Sequence, residues 1–194
     1  MVLANGYKIN QADKCVYNKF DDSGQGVIIC LYVDDMLIFG TSQAQVDSTK
    51  GFLSSQFSMK DLGIADVILG IRIIRDERGL TLSQSHYIEK VVARFKCTLV
   101  SMPMNSSEKL MSNNGKAIDQ LEYAQIVGCL MYAMTSTRPD IAFAVGKLSR
   151  FTSNPSANHW RALRRILRYL KGTMAYGISY VGSPSVLEGY SDAS

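Results

Sequence analysis

Val27 to Gly40, VIICLYVDDMLIFG, is β-branched, aromatic or aliphatic almost throughout and carries two charges, the adjacent carboxylates Asp34 and Asp35. That pattern predicts a buried strand, a tight turn with the two aspartates at its tip, and a second strand. Cys15 to Phe20 reads as a strand before it, joined by the turn-forming Asp21-Asp22-Ser23-Gly24. After it, Thr41 or Ser42 can cap a helix whose period is carried by Val46, Phe52, Leu53 and Phe57, and Gly63 ends that stretch. Val67 to Arg75 and Leu80 to Leu82 read as a hairpin turned at Gly79. Ser85 opens a helix through about Phe95, with Tyr87, Ile88, Val91, Val92 and Phe95 at helical spacing.

The pattern then changes. Residues 98–119 are polar, with Asn113-Asn114-Gly115, several serines and a proline, which predicts a long loop and an internal boundary. Beyond it the apolar spacing is helical. One helix spans Leu121 to Thr135, and a second starts at Arg138-Pro139-Asp140 and runs to about Phe151. A third runs from a cap at Asn158 to Leu170, ended by Gly172. Ile178 to Val181 and Val186 to Tyr190 read as strands.

Composition narrows the class. With 194 residues, 46% hydrophobic and 20% charged, the chain is expected to fold as one sizeable domain or two small ones. No apolar run reaches the roughly 18 residues that span a bilayer, and no secretory signal stands at the N-terminus. Cys15, Cys30, Cys97 and Cys129 match no metal or redox spacing and read as reduced, buried thiols of an intracellular protein. His86 and His159 stand alone and read as structural.

Net charge is +4, but its distribution matters more. Between Arg138 and Gly172, eight Lys or Arg accompany one acid, Asp140. In the third helix Trp160, Leu163, Ile166, Leu167 and Leu170 fall on one side, with Arg161, Arg164, Arg168 and Lys171 in a neighbouring stripe and Arg165 beside it. A solvated helix face usually mixes signs. This one has no acid, which favours a phosphate backbone over the alternative of an ordinary solvated face.

Asp34 and Asp35 allow two readings. Adjacent anions in an apolar run are costly unless neutralised, and a divalent cation with phosphate oxygens does so economically. A solvated two-residue turn is the plainer alternative.

A resemblance separates them. Tyr32-Val33-Asp34-Asp35 is followed, in order, by Lys60-Asp61-Leu62-Gly63, Leu69-Gly70-Ile71, Leu82-Ser83-Gln84-Ser85-His86-Tyr87, Thr137-Arg138-Pro139-Asp140, Arg168-Tyr169-Leu170-Lys171-Gly172-Thr173 and Tyr190-Ser191-Asp192-Ala193. The set resembles the reverse transcriptase region of plant copia-type retrotransposon Pol polyproteins, over nearly the whole chain.

The resemblance implies an α+β fold, the C-terminal part of a polymerase palm (an antiparallel sheet with helix) followed by a mainly helical thumb and connection segment. In these terms residues 1–82 would be palm, 83–185 thumb and connection, and 186–194 the first strand of a truncated RNase H domain. It implies Asp34 and Asp35 as catalytic ligands of Mg2+ or Mn2+, and Asp192 as a metal ligand of the incomplete RNase H site. Tyr32 would face the primer end or support the turn, or else be a core tyrosine. Lys60 would lie near the incoming dNTP, or else be a surface lysine. Gly70, in a primer-grip-like strand, would let a nucleic-acid backbone approach, or else serve a bulge or packing.

The implied partners are an RNA template, a DNA primer or an RNA–DNA hybrid, with no membrane. The third palm aspartate, the fingers and the rest of RNase H belong to other segments of the parent polyprotein. The chain alone is therefore expected to be inactive, in a cytoplasmic particle or the nucleus. The alternative is a transposon-derived remnant that binds nucleic acid without catalysis.

Overall fold

The computed structural model describes residues 2–93, 99–105 and 109–182. It divides the chain into two compact units, Met1–Ala65 and Asp66–Ser194. Both are mixed α/β with antiparallel sheets, the coarse class expected from the sequence.

In the first unit four antiparallel strands lie in sequence order: β1 (Lys8–Ile9), β2 (Val16–Phe20), β3 (Gly26–Tyr32) and β4 (Asp35–Gly40). Helix α1 (Gln43–Gln56) covers one face. Strand alternation decides which residues it covers. Val27 and Ile29 of β3, with Leu31, Met36 and Ile38 beside them, pack with Leu53 and Phe52 of α1 and with Tyr7. The Tyr7 hydroxyl and Thr49 Oγ1 share a hydrogen bond of 3.1 Å, so the buried phenol keeps a polar partner. The helix stops at Gln56, earlier than a stretch carried to Gly63: Phe57 is already extended.

The second unit has its own four-stranded sheet, β5 (Val67–Ile68), β6 (Ile71–Asp76), β7 (Gly79–Ser83) and β8 (Gly177–Val181), in that order. Helices α2 (Ser85–Val92), α3 (Gln120–Ser136), α4 (Ala142–Ser149) and α5 (Ala157–Gly172) build its core, with a 3-10 turn at Pro139–Ile141. Leu163, Ile166, Leu167 and Leu170 of α5 are each at most 1% exposed. At about 1.5–3 kcal/mol per fully buried aliphatic side chain, this one helix face is a main source of the unit's stability. No helix of the described residues is long and apolar enough to cross a membrane.

Several sequence expectations change here. The polar stretch 98–119 is not where the compact units part; its described residues are tied down within the second unit. Asn113 Nδ2 donates to Asn154 Oδ1 (3.1 Å), Asn154 Nδ2 returns to the Asn113 carbonyl (2.7 Å), and Trp160 Nε1 donates to the Ile118 carbonyl (2.8 Å). The thiols are less buried than expected: Cys15 is exposed and Cys30 and Cys129 are half-buried, all three free, while Cys97 lies outside the described residues. The strand expected at 186–190 also lies outside them. Strand 178–181 finds its partner in β7.

The cap of α5 is Ser156 rather than Asn158. Ser156 N donates to His159 Nδ1 (2.9 Å), and His159 N donates to Ser156 Oγ (3.4 Å), a reciprocal capping box with histidine in the role usually held by Glu or Gln. The ring is buried and stacks on Phe151, with centroids 3.9 Å apart. Burial lowers its pKa below 6.5, opposed by a backbone contact at Met111. A proton on Nδ1 would also remove the acceptor of the capping bond. Because the folded-state pKa is depressed, this stabilisation is full above about pH 6.5 and is lost as pH falls from there through the folded-state value. Melting temperature measured between pH 7.5 and 5 should therefore drop, and His159→Gln should flatten that part of the profile while lowering the whole curve.

Candidate functional site

The carboxylate pair sits at the end of the β3–β4 hairpin. Tyr32 pairs with Asp35 across the two strands, which leaves Val33 and Asp34 as a two-residue turn. Val33 has φ +52, a conformation that a β-branched residue adopts at a cost of about 1–3 kcal/mol. The strain comes where the sequence puts valine at a position that turn chemistry would give to Gly or Asn. Asp34 follows it in the turn and Asp35 starts β4.

Both aspartates are exposed, and among the described residues neither carboxylate has a side-chain hydrogen bond or ion pair. The register puts Asp35 on the same face as Tyr32, Cys30 and Leu37, opposite the face that α1 covers. Tyr32 is 55% exposed, which rules out the core-tyrosine reading. Burial, with the Asp13 charge second, raises the pKa of Cys30 and keeps its thiol protonated near the pair. The hairpin thus presents two hard anionic ligands, an exposed phenol and a neutral thiol.

Metal chemistry can be tested against this donor set. Carboxylate oxygens open to water suit Mg2+ or Mn2+, which bind through one or two carboxylates and complete their shell with water and phosphate oxygens. Asp34 and Asp35 fit one such ion. Among the described residues no group of three His, Cys, Asp or Glu comes together to hold a metal.

A cavity of about 360 Å³ lies at the other end of β3, lined by Tyr7, Phe20, Gln25, Gly26 and Ser48 among others. It is remote from the carboxylates along the same strand.

Lys60 lies in the loop after α1, exposed. Its neighbour Asp61 is the residue fixed there: Lys50 Nζ lies 3.0 Å from one carboxylate oxygen, and the other accepts the Gly63 amide. Those hydrogen bonds lower the Asp61 pKa, the Gly63 amide first.

Gly70 is not inside a strand. Leu69 and Gly70 have φ +52 and +74 and form the two-residue turn between β5 and β6. The continuous apolar run around them hides that turn. Its conformation is held from α3: the Tyr132 hydroxyl donates to the Leu69 carbonyl, and the Tyr87 ring meets Tyr132 edge-on at 5.0 Å. Tyr132 carried no sequence signal; only the tertiary contact reveals it.

Helix α5 is laid out as its period predicts. Arg161, Arg164 and Lys171 are exposed, opposite the packed leucines. Arg164 also lies over the Trp160 ring at 5.9 Å. Arg165 Nε is committed to the Met102 carbonyl at 3.2 Å. Arg168 is half-buried, with its Nε sealed from solvent.

Arg138 leaves the basic surface altogether. It is fully buried, paired through two hydrogen bonds with Asp140 (2.9 and 2.7 Å), and it donates to the Thr173 carbonyl and hydroxyl. Tyr169 adds a hydrogen bond to the same carboxylate at 2.8 Å. Asp192 lies outside the described residues.

Comparison with known proteins matches residues 1–106 to the family described as Reverse transcriptase (RNA-dependent DNA polymerase). The chain is 44% identical to the Retrovirus-related Pol polyprotein from transposon TNT 1-94 of Nicotiana tabacum, covering 96% of the chain and 15% of that protein. It is 43% identical to the corresponding polyprotein from transposon RE1 of Arabidopsis thaliana, over 86% of the chain and 12% of that protein. A transposon Ty5-1 protein of Saccharomyces cerevisiae is 34% identical over 97% of the chain and 63% of its own length. The chain thus spans less than a sixth of the two plant polyproteins. No solved structure matches it.

Proposed function

The chain belongs to the reverse transcriptase (RNA-dependent DNA polymerase) family, and from that membership we propose that it supplies part of the primer-extending site of a copia-type retrotransposon polymerase. The observation that carries the reading is the β3–β4 hairpin, which holds two unpartnered carboxylates in water at a strained turn. Asp34 and Asp35 would hold a magnesium or manganese ion. Such an ion, when bound, neutralises phosphate charge and acidifies a coordinated hydroxyl.

The chain's own residues do the positioning. The β3–β4 pairing puts both aspartates at one hairpin end, and Tyr32, across from Asp35, offers an exposed ring and hydroxyl beside them for the primer end. Lys60 offers an ammonium to the triphosphate of a dNTP. The Leu69-Gly70 turn, braced by Tyr132, offers a rigid edge to a primer strand. The acid-free face of α5, through Arg161, Arg164 and Lys171 with Arg165 and Arg168 beside them, would follow the phosphates of an RNA–DNA hybrid. In this reading the first unit and the β5–β7 hairpin are palm, and the helices are thumb and connection. Asp192 would begin an RNase H strand.

A second reading is favoured by the acid-free basic face of α5: a remnant that binds nucleic acid through that helix without catalysis. Primer extension on an RNA template with Mg2+ or Mn2+ tells them apart. The chain alone is expected to add no dNTP. Combined with the remaining polymerase region of the Nicotiana tabacum relative, it should extend the primer, and Asp34→Ala/Asp35→Ala should return extension to background. Extension that survives this double replacement would remove the aspartates from the site.

A further inference from the structure

Helix α4 carries a strip that the polymerase reading does not use. Its packed side is Ala144, Val145 and Leu148. Phe143, Gly146, Lys147 and Arg150 follow at i, i+3, i+4 and i+7 and share another side. Phe143 is 66% exposed, a full aromatic ring left in water beside a packed face. Lys147 Nζ stands 4.5 Å from its centroid. A Cβ added at Gly146 would meet no atom within 4 Å, so the strip is open at that position.

The surrounding sequence is one-signed. Ile141 to Gly182 holds seven Lys or Arg and no Asp or Glu. An apolar protein partner would not select for that charge. A strand whose bases are free would, because each nucleotide brings a π-face and an anion together. In a duplex the same faces are stacked away.

We propose that the α4 strip binds an unpaired nucleotide of a single strand, with its base stacked on Phe143 and its flanking phosphates on Lys147 and Arg150. The site is distinct from the α5 stripe in what it recognises: a free base face rather than a continuous phosphate track. It rests on the nucleic-acid-binding reading above, and the two can fail separately.

The test measures affinity of the chain for a short single-stranded oligonucleotide and for a duplex of equal length, across a salt series. Phe143→Ala should weaken single-strand binding about tenfold without altering its salt slope. Duplex binding should be unchanged, and Phe143→Trp should retain single-strand affinity. Lys147→Gln/Arg150→Gln should reduce the single-strand slope by about 1.4, the value for two phosphates. Gly146→Leu, which raises helix propensity, should still weaken single-strand binding by filling that open position.

The proposal is overturned if Phe143→Ala binds the single strand like wild type, or loses single strand and duplex equally. It is also overturned if Phe143→Ala abolishes self-association of the chain, which would make the strip a contact with a second copy. Wild type that binds neither nucleic acid overturns this site and the broader reading together. Wild-type binding that responds to α5 substitutions but not to Phe143→Ala overturns this site alone.

Discussion

Replacing Arg138 with Met should lower the unfolding free energy by about 3–5 kcal/mol, because it leaves a partly buried carboxylate without its cation. Arg138 is 0% exposed and satisfies Asp140, the Thr173 carbonyl and the Thr173 hydroxyl at once. It also lies between the Tyr169 and Tyr176 rings, 5.6 and 5.5 Å from their centroids. The residue therefore joins the 3-10 turn before α4 to the C-terminal end of α5. Chemical denaturation of wild type and variant measures the loss. Adding Asp140→Asn to Arg138→Met should recover part of it, since the amide no longer carries an unpaired charge. A variant within 1 kcal/mol of wild type would show that the pair contributes little.

The pH profile provides a second check on the same residues. Burial pushes the Asp140 pKa up, and the hydrogen bonds from Arg138 and Tyr169 outweigh it, so the net shift is down. A depressed carboxyl stabilises fully above its unfolded value, near 3.9, and that stability is lost as pH falls through the folded value. In Arg138→Met the guanidinium's hydrogen bonds and positive charge go, while burial and the Tyr169 hydrogen bond stay, so the carboxyl's pKa rises. The stability difference between wild type and variant should then narrow as pH falls from about 4 through the folded value, because only wild type has this carboxylate stabilisation to lose.

Binding to a template–primer duplex should lose up to about 1.8 units of salt slope when Arg161 and Arg164 are both replaced by Gln. Each phosphate contact on duplex DNA contributes about 0.9 to the slope of log K against log salt. These two side chains are chosen because both are exposed, whereas Arg165 and Arg168 are engaged in or sealed against the fold. The weakening should be similar for all base sequences. Melting temperature should barely move, because Trp160, Leu163, Leu167 and Leu170 keep their packing. Titrations of wild type and double variant at several salt concentrations decide it. Parallel lines of equal affinity would reduce the stripe to a solvated face.

What the chain's own letters reveal follows from the range of the interaction. The β3–β4 hairpin was legible because alternation and a charge pair are local patterns. The division of α5 into packed and basic sides was legible because a single helical period carries it. The Leu69-Gly70 turn was hidden: an unbroken apolar run gives no punctuation, and the turn is held by Tyr132, 63 residues later. Arg138 looked like one more cation because the contacts that bury it with Asp140 include Thr173, 35 positions away. The cap at Ser156 escaped notice because its reciprocal partner is a histidine rather than Glu or Gln. At the candidate site, the aspartates and the exposed arginines are where the sequence put them. The commitments of Arg165 and Arg168 depend on contacts that only the tertiary structure makes.

The pairing of β7 with β8 sets a timetable for synthesis. Thr81 and Ser179 share a hydrogen bond across 98 positions, so the edge of β7 has no partner until the ribosome has delivered β8. At about 5–20 residues per second that wait lasts roughly 5–20 s, long compared with helix or hairpin formation. The first unit can finish folding while the second is still emerging. During the interval β7 offers a bare strand edge to neighbouring chains. A premature stop before residue 177 would make that exposure permanent, and such products should be found among aggregates or chaperone clients rather than as soluble fragments.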